Sequence, residues 1–190
     1  MPGKPNERII PADVTKGIIY LVRNPLDITT SYAYHEGISI DETISRMAAT
    51  SYMIGAGYPR TQVPQQLCSW SEHVISWLDD SNLPICVLRY EDMLSRAFGT
   101  FSEVIRFVGF EFNQKKIREA IQASSFNEIK KQEKRHGFRE QSIMGRDFFR
   151  KGQAGNWKKH LSADQVDRVL QTHGKVMQRL GYLDTAGNPL

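Results

Sequence analysis

The segment from Gly17 to Asp27, GIIYLVRNPLD, contains the pattern on which the fold prediction rests. Its first part is a short, continuous apolar run rich in β-branched residues, which is typical of a strand buried on both faces. Asn24 and Pro25 follow at once, and these residue types are favoured at the N-cap and the first position of a helix. The segment therefore predicts a strand that ends at Arg23 and leads into a helix, with Asp27 near the positive end of that helix.

A second run of the same kind, PICVLRY, extends from Pro84 to Tyr90. Ser39 and Thr100 begin patterns typical of capping boxes, and Ser162 has the form of a cap for a last helix. Because strands alternate with helices, the sequence predicts an α/β fold with a parallel sheet. Two strands are few for such a sheet, so either further strands escape the pattern or part of the sheet is absent from this chain.

The chain has 190 residues, which is enough for one domain with a substantial core and short for two. We expect a flexible leader over residues 1–14, one domain over residues 15–185 and a tail over residues 186–190. No apolar run approaches the length of a membrane span, and the first residues lack the apolar core of a signal peptide. We therefore expect a cytoplasmic protein without membrane association. Cys68 and Cys86 belong to no CxxC pair and are expected to be reduced.

Basic residues are concentrated in one part of the chain. The net charge is +4, and segment 130–160 is rich in Lys and Arg, beginning with the run KKQEKRHGFR at Lys130–Arg139. Such a run most often forms a solvated helix face, and it can also attract an anionic ligand or nucleic acid. The histidines show no metal-ligand spacing, so no metal site is predicted.

Candidate ligand-binding residues lie at the carboxyl ends of the predicted strands, where open α/β sheets bind their ligands. Arg23 and Tyr90 fall at these ends, and Ser31 lies about two turns into the helix that follows Arg23. A guanidinium offers a planar fork of donors that suits phosphate or sulfate, and a serine hydroxyl adds one more donor. The pattern predicts an anion site at Arg23, toward which the helix can bring the hydroxyl of Ser31.

A second candidate segment is FFRKGQAGNWKKH, residues 148–160. Its two glycines disfavour a helix, and a surface loop does not need so many aromatic residues. Arg150 and Lys151 add positive charge, and Gly152 allows the backbone to approach a ligand closely. The mixture favours a loop that wraps a flat ring and an anion.

Four blocks, in this order along the chain, resemble the PAPS-dependent sulfotransferases, particularly those of the cytosolic type. PAPS is 3′-phosphoadenosine 5′-phosphosulfate. The blocks are YLVRNPLDITTSY from Tyr20, VLRYED from Val87, SSFNEIKKQE from Ser124 and FFRKGQAGNWKKHLS from Phe148. The segment CSWSEHVISWL, residues 68–78, is also similar to the family. The resemblance extends from about Gly17 to Tyr182, and the order and spacing of the blocks are more specific than any single motif.

The resemblance implies a nucleotide site. The first block carries the Arg and the Ser that bind the 3′-phosphate in the family, and the RKG residues of the last block hold the same phosphate. The two middle blocks lie at the adenine, and Phe126 and Phe148 are candidates to stack on it. Ser124 stands where the family has Thr, and Asn156 where it has Asp. The predicted cofactor-binding residues are Arg23, Ser31, Tyr90, Ser124, Phe126, Phe148, Arg150, Lys151 and Gly152.

The sequence departs from the family pattern in its first part. The family begins with a strand and a P-loop-like turn of the type YPKSGTTW, which binds the 5′-phosphosulfate. GAGYPRT, residues 55–61, follows no predicted strand and lacks the Lys-Ser/Thr pairing. The family's catalytic His lies upstream of the phosphate-binding Arg, and no His precedes Arg23. The expected fold is a P-loop-NTPase-like parallel sheet flanked by helices and incomplete at the N terminus, and no catalytic residue is assigned.

Two functional hypotheses follow. The first is a sulfotransferase-family domain that binds PAPS or adenosine 3′,5′-bisphosphate, without a metal, for sulfuryl transfer to a hydroxyl or amine of a small molecule or glycan. This chain alone is expected to be inactive. The alternative is a non-catalytic module that binds a polyanion through residues 130–160; nucleic acid is the less favoured partner. Lys158–Asp167 resembles the family's dimerisation motif and implies a homodimer, although a plain helix cap at Ser162 explains the same residues.

Several candidate site residues also have a plain structural interpretation. Arg23 could form a surface ion pair, and the assignment of Ser31 rests on the resemblance. The aromatic candidates could belong to the core: Tyr90, Phe126 and Phe148. Phe149 and Trp157 are interpreted as packing residues.

Overall fold

The structure is a computed structural model that describes residue 11 and residues 13–55, 63–138 and 147–190. The strands in these ranges are β1 (Ile18–Val22), β2 (Met53–Ile54), β3 (Gln65–Gln66) and β4 (Ile85–Arg89). The helices are α1 (Pro25–Glu36), α2 (Ile40–Ala48), α3 (Trp70–Leu78), α4 (Tyr90–Ser95), α5 (Ala97–Phe107), α6 (Gln114–Ala123), α7 (Phe126–His136) and α8 (Ala163–Arg179), and a 3₁₀ turn covers Asn156–Lys159. Most of the predicted leader, most of GAGYPRT and the end of the Lys130–Arg139 run lie outside the described residues.

The main sheet consists of β1 and β4. The two strands are parallel and in register, from Ile18 opposite Ile85 to Val22 opposite Arg89. The chain between them includes helices α1, α2 and α3, as a crossover between parallel strands requires. Strands β2 and β3 form a separate antiparallel pair. The predicted α/β class with a parallel sheet flanked by helices is confirmed.

The prediction that the strands are buried on both faces is wrong. Tyr20, Val22 and Leu88 are buried, whereas Ile19 and Leu21 on the opposite face of β1 are 41% and 62% exposed. Successive side chains point to opposite faces of a strand, so a run that is apolar at every position can still have one face in solvent. Apolar continuity alone does not tell how many layers cover the sheet.

The hydrophobic core lies against the buried face of β1, where residues of α1, α3 and α8 meet. Leu26 and Met177 are fully buried there, and Tyr182 is 1% exposed. The hydroxyl of Tyr182 donates to Glu91 Oε2 at 3.1 Å, and Glu91 Oε1 accepts the backbone N–H of Asn24 at 3.0 Å. Glu91 therefore links the start of α1 to the chain that follows α8.

The helix N-termini confirm three of the predicted caps and correct one. The side chains of Asn24 and Ser39 accept backbone N–H groups of α1 and α2, and Ser162 forms a full capping box on α8. Thr100 lies inside α5, and its hydroxyl donates to the carbonyl of Asp92 at 3.2 Å. The predicted cap at Thr100 is wrong because α5 begins three residues earlier, directly after α4.

Cys68 and Cys86 are both free thiols. Burial raises the pKa of Cys86, with a smaller contribution from the charge of Glu103. Among the described residues, no helix is long and apolar enough to cross a membrane.

His173 is buried where α8 packs against α3. Its side chain is 2% exposed, its Nδ1 lies 2.8 Å from the Ser71 hydroxyl oxygen, and its ring meets that of Trp70 edge-on. Burial lowers the pKa of His173 from 6.5 to about 4, because a charged imidazole would lose its hydration there. The folded state therefore keeps His173 neutral over a pH range in which the unfolded chain takes up a proton.

We expect the unfolding free energy to fall as the pH decreases from about 6.5 to about 4, because the unfolded state binds more protons than the folded state in this window. The share of His173 is on the order of 3 kcal/mol, at about 1.4 kcal/mol per pKa unit. Urea unfolding above, within and below this window measures the slope. His173→Gln should flatten it, since all other titrating groups are retained; equal slopes in the two proteins would contradict the assignment.

Candidate functional site

An open cavity of about 400 Å³ lies beyond the carboxyl ends of β1 and β4. Residues of α1, the starts of α4 and α7, and the segment 147–156 form its walls. Eight of the nine predicted cofactor-binding residues line it: Arg23, Ser31, Tyr90, Phe126, Phe148, Arg150, Lys151 and Gly152. Residues from four separate blocks of the sequence thus meet at the edge where α/β sheets bind ligands.

Ser124 is the predicted residue that does not line the cavity. It is exposed at the C-terminal end of α6, and its hydroxyl donates to the carbonyl of Ala120 at 2.8 Å. The hydroxyl is therefore engaged with its own helix, and contact of Ser124 with a ligand stays a prediction.

Arg23 extends from the end of β1 into the cavity wall. Its guanidinium carbon lies 4.5 Å from the ring centroid of Tyr90, and its Nη2 donates to the carbonyl of Gln153 at 3.3 Å. Its Nε is buried and has no hydrogen-bond partner within the described part of the chain. Since a buried donor without a partner costs free energy, an anion at this point would stabilise Arg23.

Tyr90 supports Arg23 with its ring. It is partly buried, and this burial raises the pKa of its hydroxyl, although the charge of Arg23 opposes the shift. The ring is therefore neutral near pH 7 and presents its negative face to the guanidinium. Tyr90 is therefore more than a core residue, because its ring contacts a cation that lines the cavity.

Helix α1 forms one wall of the cavity through Ser31 and Tyr34. These residues are three positions apart and so lie on one face of the helix, and both line the cavity. The guanidinium carbon of Arg150 lies 4.3 Å from the ring centroid of Tyr34. Arg150, from a distant part of the sequence, is thereby placed beside the wall that carries Ser31.

Helix α7 holds the segment that contains Arg150. The carboxylate of Glu133, which is 7% exposed, accepts the backbone N–H groups of Phe148 at 2.6 Å and Phe149 at 3.1 Å. Lys130 donates through Nζ to the carbonyl of Arg150 at 3.3 Å. The first part of the basic run is therefore engaged in positioning this segment and is not simply a solvated helix face.

Aromatic rings fill the space beside the cations. Phe149 packs against Phe126 and Phe138, with ring centroids 6.5 Å and 5.0 Å apart, and Phe148 packs against the same Phe138 at 4.6 Å. Phe148 remains 40% exposed on the cavity side. Phe126 and Phe148 thus take part in packing and still present surface to the cavity.

Gly152 adopts a left-handed conformation with φ of +59°. A Cβ atom at this position would lie 2.3 Å from Cδ2 of Phe126, which is far inside van der Waals contact. The absence of a side chain is therefore what allows the Phe126 ring to pack directly on the loop backbone.

Lys151 points toward Asn156 and His160. Its Nζ lies 3.3 Å from Asn156 Oδ1 and 3.3 Å from His160 Nε2. Because the Asn156 amide is neutral, it orients the ammonium group without compensating its charge. Asp147 is the acidic residue among those that line the cavity, against three cations, Arg23, Arg150 and Lys151.

Asp27 connects α1 to the chain after Gly152. Its carboxylate is 1% exposed and accepts the backbone N–H of Gly155 at 2.6 Å and that of Trp157 at 3.1 Å. Asp27 lies in the first turn of α1, as predicted. Its oxygens accept N–H groups of this distant loop and not those of its own helix. Trp157 is buried in the core, which confirms its interpretation as a packing residue.

Sequence reasoning missed three contributors to the site: Tyr34, Glu133 and the loop contact of Asp27. Tyr34 has a local signal, since it shares a helix face with Ser31. Glu133 is the single acidic residue in the Lys130–Arg139 run, and a lone carboxylate there is a weak sign of a specific partner. Nothing local identifies the two backbone groups that Asp27 binds.

A second, smaller cavity of about 290 Å³ adjoins the first at Arg23 and Tyr90. The hydroxyl of Tyr20 and Nδ1 of His73 lie 2.8 Å apart in its wall. Burial raises the pKa of Tyr20 to about 12 and lowers that of His73, so both side chains are neutral near pH 7. In the described residues, no group of three or more His, Cys, Asp or Glu is placed to hold a metal ion.

The structure is an α/β protein whose cavity places three cationic side chains next to aromatic rings. The sulfotransferase domain family model matches residues 12–181, and the chain belongs to this family. The rat sulfotransferase 2A6 is 29% identical over 161 residues, which cover 81% of this chain and 55% of the relative. The 3-alpha-hydroxysteroid sulfotransferase of the guinea pig is 26% identical over 165 residues, 81% of this chain and 54% of the relative.

Two solved structures share the fold. Mouse sulfotransferase SULT7A1, complexed with PAP, superposes with a TM-score of 0.63 at 20% identity, over 90% of this chain and 60% of the other. Retinol dehydratase, in complex with androsterone and the inactive cofactor PAP, gives a TM-score of 0.61 at 19% identity, over 85% and 47%. The chain spans about half the length of the curated relatives it matches.

Gly152→Ala tests the close contact with Phe126, and Gly155→Ala is its matched control. Gly155 also has a positive φ, +76°, but a Cβ there would meet no atom within 4 Å. We expect the control to lower the unfolding free energy by about 1–2 kcal/mol through backbone strain alone. Gly152→Ala should cost about 1–3 kcal/mol more, because the methyl group collides with the ring.

Urea unfolding of both variants measures this difference. In a Phe126→Ala background, Gly152→Ala should cost about as much as Gly155→Ala, because the collision partner is gone. Equal costs for the two glycine substitutions would contradict the described packing.

Proposed function

We propose that this chain binds a 3′-phosphoadenosine nucleotide, PAPS or its product adenosine 3′,5′-bisphosphate, in the 400 Å³ cavity. The observation that carries the proposal is the convergence of Arg23, Ser31 and the Arg150–Gly152 segment on one cavity that also presents aromatic rings. A bisphosphorylated adenosine combines an anion and a flat ring in one molecule, which is the chemistry that such a cavity can hold.

The residue roles follow from the contacts on each wall. Arg23 has the unpartnered buried Nε, and Arg150 has a guanidinium that contacts the Tyr34 ring, so both have donors to offer the 3′-phosphate. Lys151 and the hydroxyl of Ser31 add further donors. Phe126 and Phe148 offer surface to the adenine. The proximity of Ser124 to the adenine stays a prediction, since its hydroxyl donates to a backbone carbonyl of its own helix.

The relatives support this assignment. The structures of mouse SULT7A1 and retinol dehydratase both contain PAP, the abbreviation for adenosine 3′,5′-bisphosphate. The curated relatives are sulfotransferases. When bound, PAPS supplies a sulfuryl group for transfer to a hydroxyl or amine acceptor, a small molecule or a glycan, and no metal is required. This chain's residues hold the 3′-phosphate and the base, and they fix the nucleotide at the end of the parallel sheet.

The transfer step itself has no assigned residue in this chain. A general base must take the proton of the acceptor, and donors must stabilise the charge that develops on the leaving oxygen. Neither group is proposed among these residues, so the chain alone is expected to be inactive. The same proposal includes a cytoplasmic location, a domain over residues 15–185 and a homodimer formed through Lys158–Asp167.

The proposal predicts that Arg150→Ala strongly weakens the binding of adenosine 3′,5′-bisphosphate. Loss of a charge-assisted donor pair costs roughly 2–4 kcal/mol, a weakening of about 30- to 1000-fold. Lys131→Ala is the matched control: it removes one positive charge from the same basic region, but Lys131 is exposed, pairs with Glu128 and lies outside the cavity lining. It should leave the affinity within about twofold, since an exposed charge contributes little.

Calorimetric titration of the three proteins distinguishes the site from the alternative of a general polyanion surface. Salt-sensitive binding of generic DNA that both variants weaken equally, together with no response to the bisphosphate, would favour the polyanion module of residues 130–160. Unchanged affinity in Arg150→Ala would overturn the residue assignment.

A further inference from the structure

We propose that Tyr34 is a positioning residue for Arg150 and thereby sets the preference of the cavity for a 3′-phosphate. This inference rests on the proposed nucleotide function and extends it to a residue outside the predicted site. The observation is the stacking of the Arg150 guanidinium on the Tyr34 ring, 4.3 Å from its centroid, with both side chains lining the cavity.

The backbone of Arg150 is already fixed by α7. Lys130 binds its carbonyl, and Glu133 binds the backbone of the two preceding residues. The long side chain nevertheless has several rotatable bonds, whose freedom costs free energy to restrict when a ligand binds. A ring that holds the guanidinium before the ligand arrives removes part of that cost.

The contact suits anion binding because an aromatic ring attracts a cation without supplying a neutralising charge. A carboxylate partner would instead neutralise the guanidinium, occupy its N–H donors and compete with the ligand. Arg23 is held in the same way by Tyr90, so the two arginines of the cavity share one mode of support.

Tyr34 also determines where the Arg150 charge lies. It follows Ser31 by three residues on α1, so the ring and the serine hydroxyl lie on one helix face. The ring therefore brings the Arg150 guanidinium to the wall that carries the hydroxyl assigned to the same phosphate. A nucleotide without a 3′-phosphate gains little from this arrangement. Tyr34 therefore controls the discrimination between nucleotides with a 3′-phosphate and nucleotides without one.

The test measures the affinity of adenosine 3′,5′-bisphosphate and of adenosine 5′-monophosphate for the unmodified chain, Tyr34→Phe, Tyr34→Leu, Arg150→Ala and the double variant Tyr34→Leu/Arg150→Ala. We expect Tyr34→Leu to weaken the bisphosphate about tenfold, the value of a partly desolvated cation–π contact, and to leave the monophosphate within about twofold. Tyr34→Phe keeps the ring and should keep the discrimination. In the Arg150→Ala background, Tyr34→Leu should have no further effect.

Equal weakening of both nucleotides in Tyr34→Leu would show a merely structural role and overturn the inference. So would an effect that persists without Arg150, or a Phe variant as weak as the Leu variant. A second readout needs no nucleotide: the Nε–H proton resonance of Arg150, identified by its loss in Arg150→Ala, should lose its ring-current shift in Tyr34→Leu, and an unchanged resonance overturns the contact. Failure of the unmodified chain to bind either nucleotide overturns the proposed function itself, and the role of Tyr34 with it.

Discussion

The site depends on one carboxylate. Asp27, in the first turn of α1, accepts the backbone N–H groups of Gly155 and Trp157, which lie 128 and 130 residues further along the chain. The side chain is almost completely buried, and a buried polar group is stable only if it is hydrogen-bonded. Both oxygens of Asp27 accept a backbone N–H group, so the contact fixes the position of the loop and gives both buried oxygens a partner.

This contact gives α1 a central place in the architecture. The helix begins directly after Arg23, carries Ser31 and Tyr34 on its cavity side, and holds the end of the Arg150–Gly152 loop through Asp27. Helix α7 holds the other side of that loop through Glu133 and Lys130. The cations are thus presented by a loop fixed on two sides, as a preorganised anion site requires, although the parallel sheet beneath has only two strands in the described residues.

Local sequence signals predicted the parts of this arrangement that are themselves local. The strand before Arg23, the caps at Asn24 and Ser162, and the glycine-containing loop at 148–160 depend on neighbouring residues, and these predictions are confirmed or agree with the described geometry. The exposure of Ile19 and Leu21 was not predictable, because it depends on how many layers cover the sheet.

The partner of Asp27 and the stacking of Arg150 on Tyr34 depend on packing between segments more than a hundred residues apart, which no local pattern specifies. The resemblance placed Ser124 at the adenine, and its hydroxyl donates to the carbonyl of Ala120 in its own helix; contact of Ser124 with a ligand stays a prediction.

Hydrogen exchange at the Gly155 and Trp157 amides tests the central role of Asp27 most directly. Asp27→Asn should accelerate exchange at one of the two amides by at least about tenfold relative to the unmodified chain, since the Asn side chain keeps one acceptor oxygen and turns a donor NH2 group toward the other amide. Amides of α8 serve as an internal reference. Asp41→Asn, at an exposed carboxylate that pairs with Arg168, should leave both amides unchanged. Unaltered protection of Gly155 and Trp157 in Asp27→Asn would contradict the account, because the loop would then be held by something other than this carboxylate.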